Sequence, residues 1–282
     1  MPQHPGNKPP ELSIRRARPI RVPSAGDPRV YLVGAGPGDP ELLTVRAARL
    51  LEAADFVFHD ALVPQAILDR VREGAEMVAV GHRAGGAKPS VEPAAKEMAR
   101  QALAGNVVVR LKGGDPFLFG RGGEEAQALL DAGVAFEVVP GVSSALAGPA
   151  AAGIPVTHRR LAASVTIVTG HECEGELERV RWDALATASD TLVVLMGAGR
   201  LTQLSRRIIA AGRPPATPAA VVMAASRPEQ RQALATLADI AQAARAAGIG
   251  APAILVVGEV VALAQSLGRQ GIEQLGAEVA AL

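Results

Sequence analysis

The segment VVVRLKGGDPFLFGRGGEE, residues 107–125, holds the residues of this chain that are best suited to chemistry. Its β-branched start predicts a short buried strand, at whose end Gly113 and Gly114 lack a Cβ, so that a ligand could lie directly on the backbone. Asp115 then supplies an acceptor for ligand hydroxyls or an amine, and Arg121 precedes a predicted helix. Because ligands of open α/β sheets bind beyond the carboxyl ends of strands, the segment predicts a ligand site. A glycine-rich turn that merely reverses the chain is the alternative.

A second glycine-rich segment, GAGPGDP at residues 34–40, follows the first predicted strand. It resembles the dinucleotide fingerprint G-x-G-x-x-G, but Asp39 stands where the third glycine should pack the helix against the strand. Pro37 lacks the backbone donor that a pyrophosphate would use. The segment therefore suits a neutral or cationic ligand better than an anionic one. A tight strand-to-helix turn and a dinucleotide site, with Asp60 near the ribose, are the alternatives.

Two further strand ends carry polar residues. Asp60 follows the predicted strand 55–58, where a carboxylate can cap a helix, act as a base or hold a ligand hydroxyl. The loop Gly81–Gly86 contains His82 and Arg83, and is interpreted either as a solvated connection or as part of a site.

The basic residues near these segments could face a polyanionic substrate if the chain forms two domains with a cleft between them. They are Lys112, Arg121, His158 and Arg159. The spacing of His171-Glu172-Cys173 matches no standard metal site, and the chain has no second cysteine, so we expect no bound metal.

The length of 282 residues predicts about two domains, and a hydrophobic share of 49% is enough for substantial cores. Aromatic residues make up 2% and the net charge is +1, which argues against a nucleic-acid-binding protein. No apolar run approaches the length of a membrane span, and a single cysteine fits a reducing compartment. We expect residues 1–28, rich in proline and arginine, to be a disordered tail.

Short apolar runs alternate with helical patterns from Val30 to Val139, which predicts an α/β domain with a mainly parallel sheet. One of these patterns predicts a helix over residues 40–53. Pro140-Gly141 interrupts the alternation, and a second α/β unit follows. The predicted boundaries are a tail at 1–28, domains at 29–143 and 144–264, and a C-terminal extension at 265–282.

Seven segments resemble, in order, those of uroporphyrinogen-III C-methyltransferases, a family within the tetrapyrrole methylase superfamily. They read VGAGPGDPELLT, HDALV, RLKGGDPFLFGRGGEE, VPGVSS, GIPVTHR, VTGHE and PAILVVGEV, and span residues 30–261. The resemblance implies two α/β domains, each with a five-stranded sheet, an active-site cleft between them, and a homodimer in the cytoplasm. Some relatives also carry a dehydrogenase–chelatase module. The resemblance does not include that module, and we do not expect it in this chain.

The resemblance also implies that S-adenosyl-L-methionine binds in the cleft and that uroporphyrinogen III is methylated at C2 and C7, giving precorrin-2 and S-adenosyl-L-homocysteine. Asp60 matches the family's proton acceptor, and His82 stands where the family usually has a lysine that is proposed as the proton donor. The positions that match the cofactor site are Pro37, Gly113, Gly114, Asp115, Ser143, Ser144, Met196, Ala225 and Ala253. A nicotinamide-dependent oxidoreductase and a non-catalytic tetrapyrrole carrier are the alternative functions.

Overall fold

The computed structural model describes residues 29–80, 91–170 and 180–267, and these form two five-stranded sheets. The first sheet is parallel throughout, with the order β3-β2-β4-β1-β5. Its strands are β1 (Arg29–Gly34), β2 (Phe56–Asp60), β3 (Glu76–Val80), β4 (Val108–Lys112) and β5 (Ala135–Val139). All five carboxyl ends therefore lie at one edge, which is where ligands of such sheets bind.

Helices cover both faces of the first sheet, as its apolar strands require. They are α1 (Val45–Ala53), α2 (Gln65–Leu68), α3 (Glu92–Leu103) and α4 (Gly122–Asp131). Tyr31 and Val33 of β1 point into the core under α1 and α2, and Val30 and Leu32 point into the core under α3 and α4. The sheet is thus a rigid platform for the loops at its carboxyl edge.

The second sheet is mixed, with the order β6-β7-β10-β8-β9. Its strands are β6 (Val165–Thr169), β7 (Thr191–Leu195), β8 (Pro218–Met223), β9 (Arg231–Thr236) and β10 (Ala253–Val257). The central strand β10 is antiparallel to both β7 and β8. The carboxyl ends of β7 and β8 therefore lie beside the start of β10.

Helices pack on both faces of the second sheet as well. They are α5 (Ser144–Ala151), α6 (Trp182–Ala188), α7 (Leu201–Ala210), α8 (Ile240–Ala246) and α9 (Ala264–Leu267). Helices α6, α7 and α8 share one core with β7, β8 and β10, and α5 packs on the opposite face of the same strands. Since α5 follows β5 after only a short loop, the chain passes directly from the edge of the first sheet onto the face of the second.

The prediction of one helix over residues 40–53 was wrong. Pro40–Leu42 is a turn of 3-10 helix that Asp39 caps, and α1 starts separately at Val45. Thr44 is extended, and its hydroxyl accepts a hydrogen bond from the Ala47 N–H at 3.1 Å. A threonine in this position ends one element and caps the next, and this local bond outweighs the continuous apolar pattern.

Two other features of the structure differ from the sequence interpretation. Helix α6 was missed between β6 and β7, although Trp182 and Ala186 have helical spacing and both are buried. Strand β2 runs two residues beyond the expected end, so that Asp60 is its last residue and not part of the following loop. The described part of the chain contains no helix with the length and apolar character needed to cross a membrane.

Candidate functional site

Glycines allow the ends of β1, β4 and β5 to meet. A Cβ on Gly34 would lie 2.5 Å from the Cα of Gly141 and 2.6 Å from the carbonyl oxygen of Gly114, so no side chain fits there. Gly114 has a φ of +66°, which glycine adopts without strain. Its N–H donates to the Gly36 carbonyl oxygen at 2.8 Å, and the Gly36 N–H donates back at 3.2 Å. The three loops therefore form one continuous surface of backbone.

Asp115 binds two of these loops together. One carboxylate oxygen accepts a hydrogen bond from the Phe117 N–H at 2.9 Å, and the other accepts one from the Gly141 N–H at 3.1 Å. Each oxygen retains a second lone pair, so a ligand hydroxyl or amine can still bind. Ligand binding by Asp115 stays a prediction, and its structural role is to join the loops after β4 and β5.

Gly113 leaves an open space on this surface. It is exposed, and of the described residues outside its chain neighbours only Leu62, with its Cβ at 4.0 Å, would be within contact distance of a Cβ built there. At the other side of the surface, the Ser143 hydroxyl accepts from the Ala145 N–H at 3.2 Å and caps α5, which begins at Ser144. Among the residues that the structure describes, the surface around Gly113 therefore offers backbone groups that no side chain covers closely, as a flat ligand would need.

A largely buried network of two carboxylates and two cationic side chains lies next to this surface. Arg110 donates to a carboxylate oxygen of Asp60 and, at 2.9 Å, to one of Glu125. The other Glu125 oxygen lies 2.8 Å from the Lys112 ammonium. The second Asp60 oxygen accepts from the Gly113 N–H at 3.3 Å, and the Asp60 side chain is 29% exposed. Asp60 is thus the member of the network that reaches the surface.

The prediction that Lys112 faces substrate carboxylates is not supported. Its side chain is only 2% exposed, and its ammonium pairs with Glu125 inside the protein. Burial, and next the neighbouring Arg110, lower the pKa of Lys112, while the carboxylates of Asp60 and Glu125 oppose that change. Lys112 is the last residue of β4, a strand buried at every position, and the glycine loop begins only after it.

Arg110 and Glu125 were missed as members of the site. The sequence does carry a sign of Arg110, because an arginine inside the apolar run VVVRL must find a buried partner. Its partner Glu125 is in the first turn of α4, where an acidic side chain is also explained by the helix dipole. To predict the contact between Arg110 and Glu125, one must know which face of α4 packs against β4, and the sequence pattern does not give that.

The edge of the second sheet brings three predicted cofactor positions together. Ala253 pairs with Met223, and continuing the register between β10 and β7 places Ala253 opposite Met196. Met196 has a φ of +58° and is 52% exposed, and Ala225 is buried between two residues with positive φ. Non-glycine residues in this conformation are strained, and such strain is concentrated at ligand sites.

The two edges face each other through the loops after β1, β2 and β8. Ser226 accepts a hydrogen bond at its hydroxyl from the Asp39 N–H at 3.2 Å. Arg227 donates to the Leu62 carbonyl at 2.9 Å and to the Pro37 carbonyl at 3.4 Å. The structure therefore brings Pro37 and the glycine surface of the first sheet towards the strained strand ends of the second.

The other residues predicted to face a polyanionic substrate lie in two loops of the described chain or outside the described residues. Arg121 precedes α4 with a φ of +58°, and its Nε lies 3.2 Å from a Glu124 oxygen. His158 accepts a hydrogen bond from the Arg160 N–H at 3.3 Å in the turn that follows α5, and Arg159 in the same turn is exposed. His82, Arg83 and the segment His171-Glu172-Cys173 lie outside the described residues. Within the described ranges, no three His, Cys, Asp or Glu side chains are grouped to hold a metal ion.

Comparison with known families gives a match over residues 29–241 to the tetrapyrrole (corrin/porphyrin) methylases. The chain belongs to the tetrapyrrole methylase family. The structure of this family member resembles the crystal structure of uroporphyrin-III C-methyltransferase from Thermus thermophilus in complex with S-adenosylhomocysteine. The TM-score is 0.70 at 43% identity, over 83% of this chain and 93% of that one.

Two family members of different length are similar in sequence. The S-adenosyl-L-methionine-dependent uroporphyrinogen III methyltransferase of Methanosarcina barkeri is 46% identical over 243 residues, 86% of this chain and 95% of that protein. The siroheme synthase of Gluconacetobacter diazotrophicus is 48% identical over 232 residues, 82% of this chain. The matched region covers only 49% of that synthase, so the chain corresponds to about half of the longer relative.

Proposed function

We propose that this chain transfers methyl groups from S-adenosyl-L-methionine to C2 and C7 of uroporphyrinogen III, giving precorrin-2 by way of precorrin-1, with release of S-adenosyl-L-homocysteine. The observation that carries the proposal is the open backbone surface at Gly113, beside Leu62, whose carbonyl binds Arg227 in the loop after β8. Similarity to the uroporphyrinogen III methyltransferases of Methanosarcina barkeri and Thermus thermophilus supports it.

The residues present fit the proposed methyl donor. The exposed glycine leaves room for a flat group on the backbone, and the N–H and C=O groups around it can bind polar atoms. We assign the donor to Pro37, Gly113, Gly114, Asp115, Ser143, Ser144, Met196, Ala225 and Ala253. When bound, S-adenosyl-L-methionine supplies an electrophilic sulfonium methyl group. The contribution of the chain is to hold the donor and the macrocycle in line, which can be worth several kcal/mol.

Asp60 is proposed to accept the proton that leaves the macrocycle as each carbon is methylated. Its carboxylate is partly exposed at the end of β2, and Arg110 and the Gly113 N–H hold it beside the glycine surface. A carboxylate fixed by two donors is well oriented for proton transfer. Asp60 differs from a carboxylate in a purely structural ion pair because one side of it is open to the solvent.

Replacing Asp60 with asparagine is expected to lower the rate of methyl transfer by about 10²- to 10⁴-fold and to leave affinity for S-adenosylhomocysteine unchanged. Asparagine can still accept hydrogen bonds from Arg110, so the fold should persist. Asp69→Asn serves as the control, because Asp69 is an exposed carboxylate that accepts a hydrogen bond from Gln65, four residues earlier in the chain. Unchanged turnover with weakened cofactor binding would make Asp60 a ligand-holding residue instead.

The eight carboxylates of uroporphyrinogen III call for cationic side chains at the cleft. We assign this role to Arg83, Arg121, His158 and Arg159, and we no longer assign it to Lys112, whose charge is paired within the protein. His82 is proposed as the proton donor in the position where the family usually has lysine.

The role of His82 can be tested by the pH dependence of initial rates. Histidine, with an ordinary pKa of about 6.5, loses its proton near neutrality, so the rate should fall as pH rises through roughly 6–8 if the proton is needed. His82→Lys should move this fall to alkaline pH, since the ordinary pKa of lysine is about 10.4. His82→Ala should be slow at every pH. Three superimposable profiles would remove His82 from the mechanism.

The proposal extends to the organisation of the protein. We propose two domains, 29–143 and 144–264, flanked by segments 1–28 and 265–282, and a cytoplasmic homodimer that serves cobalamin or sirohaem synthesis. The short link from β5 to α5 and the separate cores of the two sheets support the domain division. Asp39 caps a 3-10 turn where a dinucleotide fold needs glycine, which disfavours the oxidoreductase alternative.

One assay separates the proposed enzyme from a tetrapyrrole carrier. The purified chain is incubated anaerobically with uroporphyrinogen III and S-adenosylmethionine, and the ultraviolet–visible spectrum and the release of S-adenosylhomocysteine are followed. An enzyme changes the spectrum and consumes two methyl donors per macrocycle. Binding of uroporphyrinogen III without consumption of the donor would identify a carrier.

A further inference from the structure

Arg227 connects the two halves of the candidate site. It lies in the loop after β8, in the second half, and its guanidinium donates to the carbonyl oxygens of Leu62 and Pro37, both in the first half. These carbonyls belong to the loops after β2 and β1, and the Cβ of Leu62 would lie 4.0 Å from a Cβ built at the open position of Gly113. One side chain of the second half thus binds two separate loops that border the proposed cofactor surface.

The loop that carries Arg227 is itself held in place. The Ser226 N–H donates to the side-chain oxygen of Gln230 at 2.8 Å, and the Gln230 amide donates to the Ala151 carbonyl at 3.1 Å. Ala224 and Ser226 both have positive φ, at +47° and +65°, so the backbone here takes one unusual path. Arg227 is therefore presented on a constrained loop, which suits a precise contact between the two halves.

Gly38 in the loop after β1 accommodates the Arg227 side chain. Its φ is +145°, and a Cβ at this position would lie 2.7 Å from Cγ and 3.1 Å from Cδ of Arg227, and closer still to Nε. Both this φ and the arginine that lies across the residue disfavour a side chain at position 38. The Asp39 N–H, next to Gly38, donates to the hydroxyl of Ser226, next to Arg227. Each of the two loops therefore contributes two adjacent residues to the contact between them.

We propose that Arg227 is a positioning residue that holds the two halves of the site at the distance that bound S-adenosylmethionine requires. A ligand that contacts both halves binds weakly when it must itself bring them together, and binds tightly when they are already aligned. Arg227 has this aligning role, and Gly38 provides the space for it. The inference rests on the proposed function, because it concerns the binding of the same methyl donor.

The chain offers a matched control for this proposal. Arg213 also donates from its guanidinium to two backbone carbonyls, those of Ser189 at 2.7 Å and Asp190 at 3.3 Å. All three residues belong to the second half. Arg213→Ala therefore removes comparable hydrogen bonds without removing a link between the halves, and its effect on stability estimates what a merely structural arginine contributes.

The test measures the dissociation constant of S-adenosylhomocysteine by calorimetry, and the melting temperature, for wild type, Arg227→Ala, Arg227→Lys and Arg213→Ala. We expect Arg227→Ala to weaken binding by roughly tenfold or more, because two charge-assisted hydrogen bonds across the site are lost. Arg227→Lys, which can reach one carbonyl, should recover part of this. Arg213→Ala should lower the melting temperature while leaving the affinity at the wild-type value. Equal affinities for Arg227→Ala and wild type would overturn the proposal.

A double-mutant cycle that combines Gly38→Ala with Arg227→Ala supplies an independent measurement. The new methyl group should displace the Arg227 side chain and weaken binding in the wild-type background. In Arg227→Ala the same change meets no side chain and should weaken binding less, so that the two effects are not additive. Strictly additive losses would show that Gly38 acts through its backbone conformation alone, and would overturn its assignment to Arg227.

Hydrogen exchange of the ligand-free proteins separates this inference from the proposed function. In Arg227→Ala, amides of residues 34–40 and 60–63 should exchange faster than in wild type and in Arg213→Ala. A wild-type protein that binds no S-adenosylhomocysteine would refute the proposed function, whatever the exchange result. Unchanged exchange in Arg227→Ala would refute the contact between the halves, even if wild type is an active methyltransferase.

Discussion

Valine at position 113 is expected to leave the protein folded and to weaken S-adenosylhomocysteine binding on the order of a hundredfold. Gly113 is exposed and its φ lies outside the glycine-only region. Among the described residues beyond its chain neighbours, a Cβ there meets nothing nearer than 4.0 Å. The folded protein thus has room for the valine side chain, which would occupy the space that the ligand needs. Calorimetric titration together with thermal melting checks both parts of this expectation.

Two other glycine substitutions make the result interpretable. Gly123→Val adds the same side chain at an exposed helical glycine with no atom within 4 Å, away from the strand ends, and should bind S-adenosylhomocysteine as wild type does. Gly141→Ala would press a methyl group onto the Gly114 carbonyl oxygen and should destabilise the fold itself. Wild-type affinity in a folded Gly113→Val protein would remove Gly113 from the cofactor site.

Replacing Glu125 with leucine is expected to cost about 3–5 kcal/mol of unfolding free energy. Glu125 is 6% exposed and pairs with both Arg110 and Lys112, so its loss leaves two buried cations with Asp60 as their one remaining carboxylate in the network. Glu124→Leu is the matched control, since Glu124 is the preceding residue of α4 and is exposed. It should change stability by no more than about 0.5 kcal/mol. Denaturant unfolding at pH 7 measures both.

The stability of Glu125→Leu should also depend on pH in a defined direction. Burial lowers the pKa of Lys112 in the folded protein, while in the unfolded chain it returns to about 10.4. Between these values the unfolded chain binds more protons, so the unfolding free energy rises as pH rises. Without Glu125 to oppose the effect of burial, the rise should begin at lower pH in the variant than in wild type. Parallel curves for the two proteins between pH 7 and 10 would show that Lys112 does not titrate in this way.

Sequence patterns were sufficient for most of the architecture. The alternation of apolar runs predicted the parallel first sheet, and the Pro140-Gly141 interruption predicted the passage to a second unit, because these depend on local periodicity and on residues that restrict the backbone. The antiparallel position of β10 could not be predicted in this way. Its sequence AILVV is apolar at every position and suits any buried strand.

The glycines of the site were also recognisable from sequence, but the partners of its charged residues were not. Gly113 and Gly114 stand beside an aspartate and a proline after a strand, which is a local pattern. The contacts of Arg110 with Glu125, and of Arg227 with Leu62, join residues 15 and 165 positions apart. Such contacts depend on how helices and loops pack, and the burial of Lys112 beside Glu125 could not be predicted without that knowledge.

The position of β10 has a consequence for synthesis of the protein on the ribosome. The central strand of the second sheet is the last strand to be translated, and β7 and β8 each lack one neighbour until Ala253–Val257 has left the exit tunnel. A nascent chain therefore exposes two unpaired edges of highly apolar strands, which favours association with other chains. The first sheet, whose five strands end at Val139, can be complete by then, so folding would proceed from the first half to the second. A ribosome stalled before residue 253 would carry a folded first half and an aggregation-prone remainder, and this part of the molecule is where we expect chaperones to bind during translation.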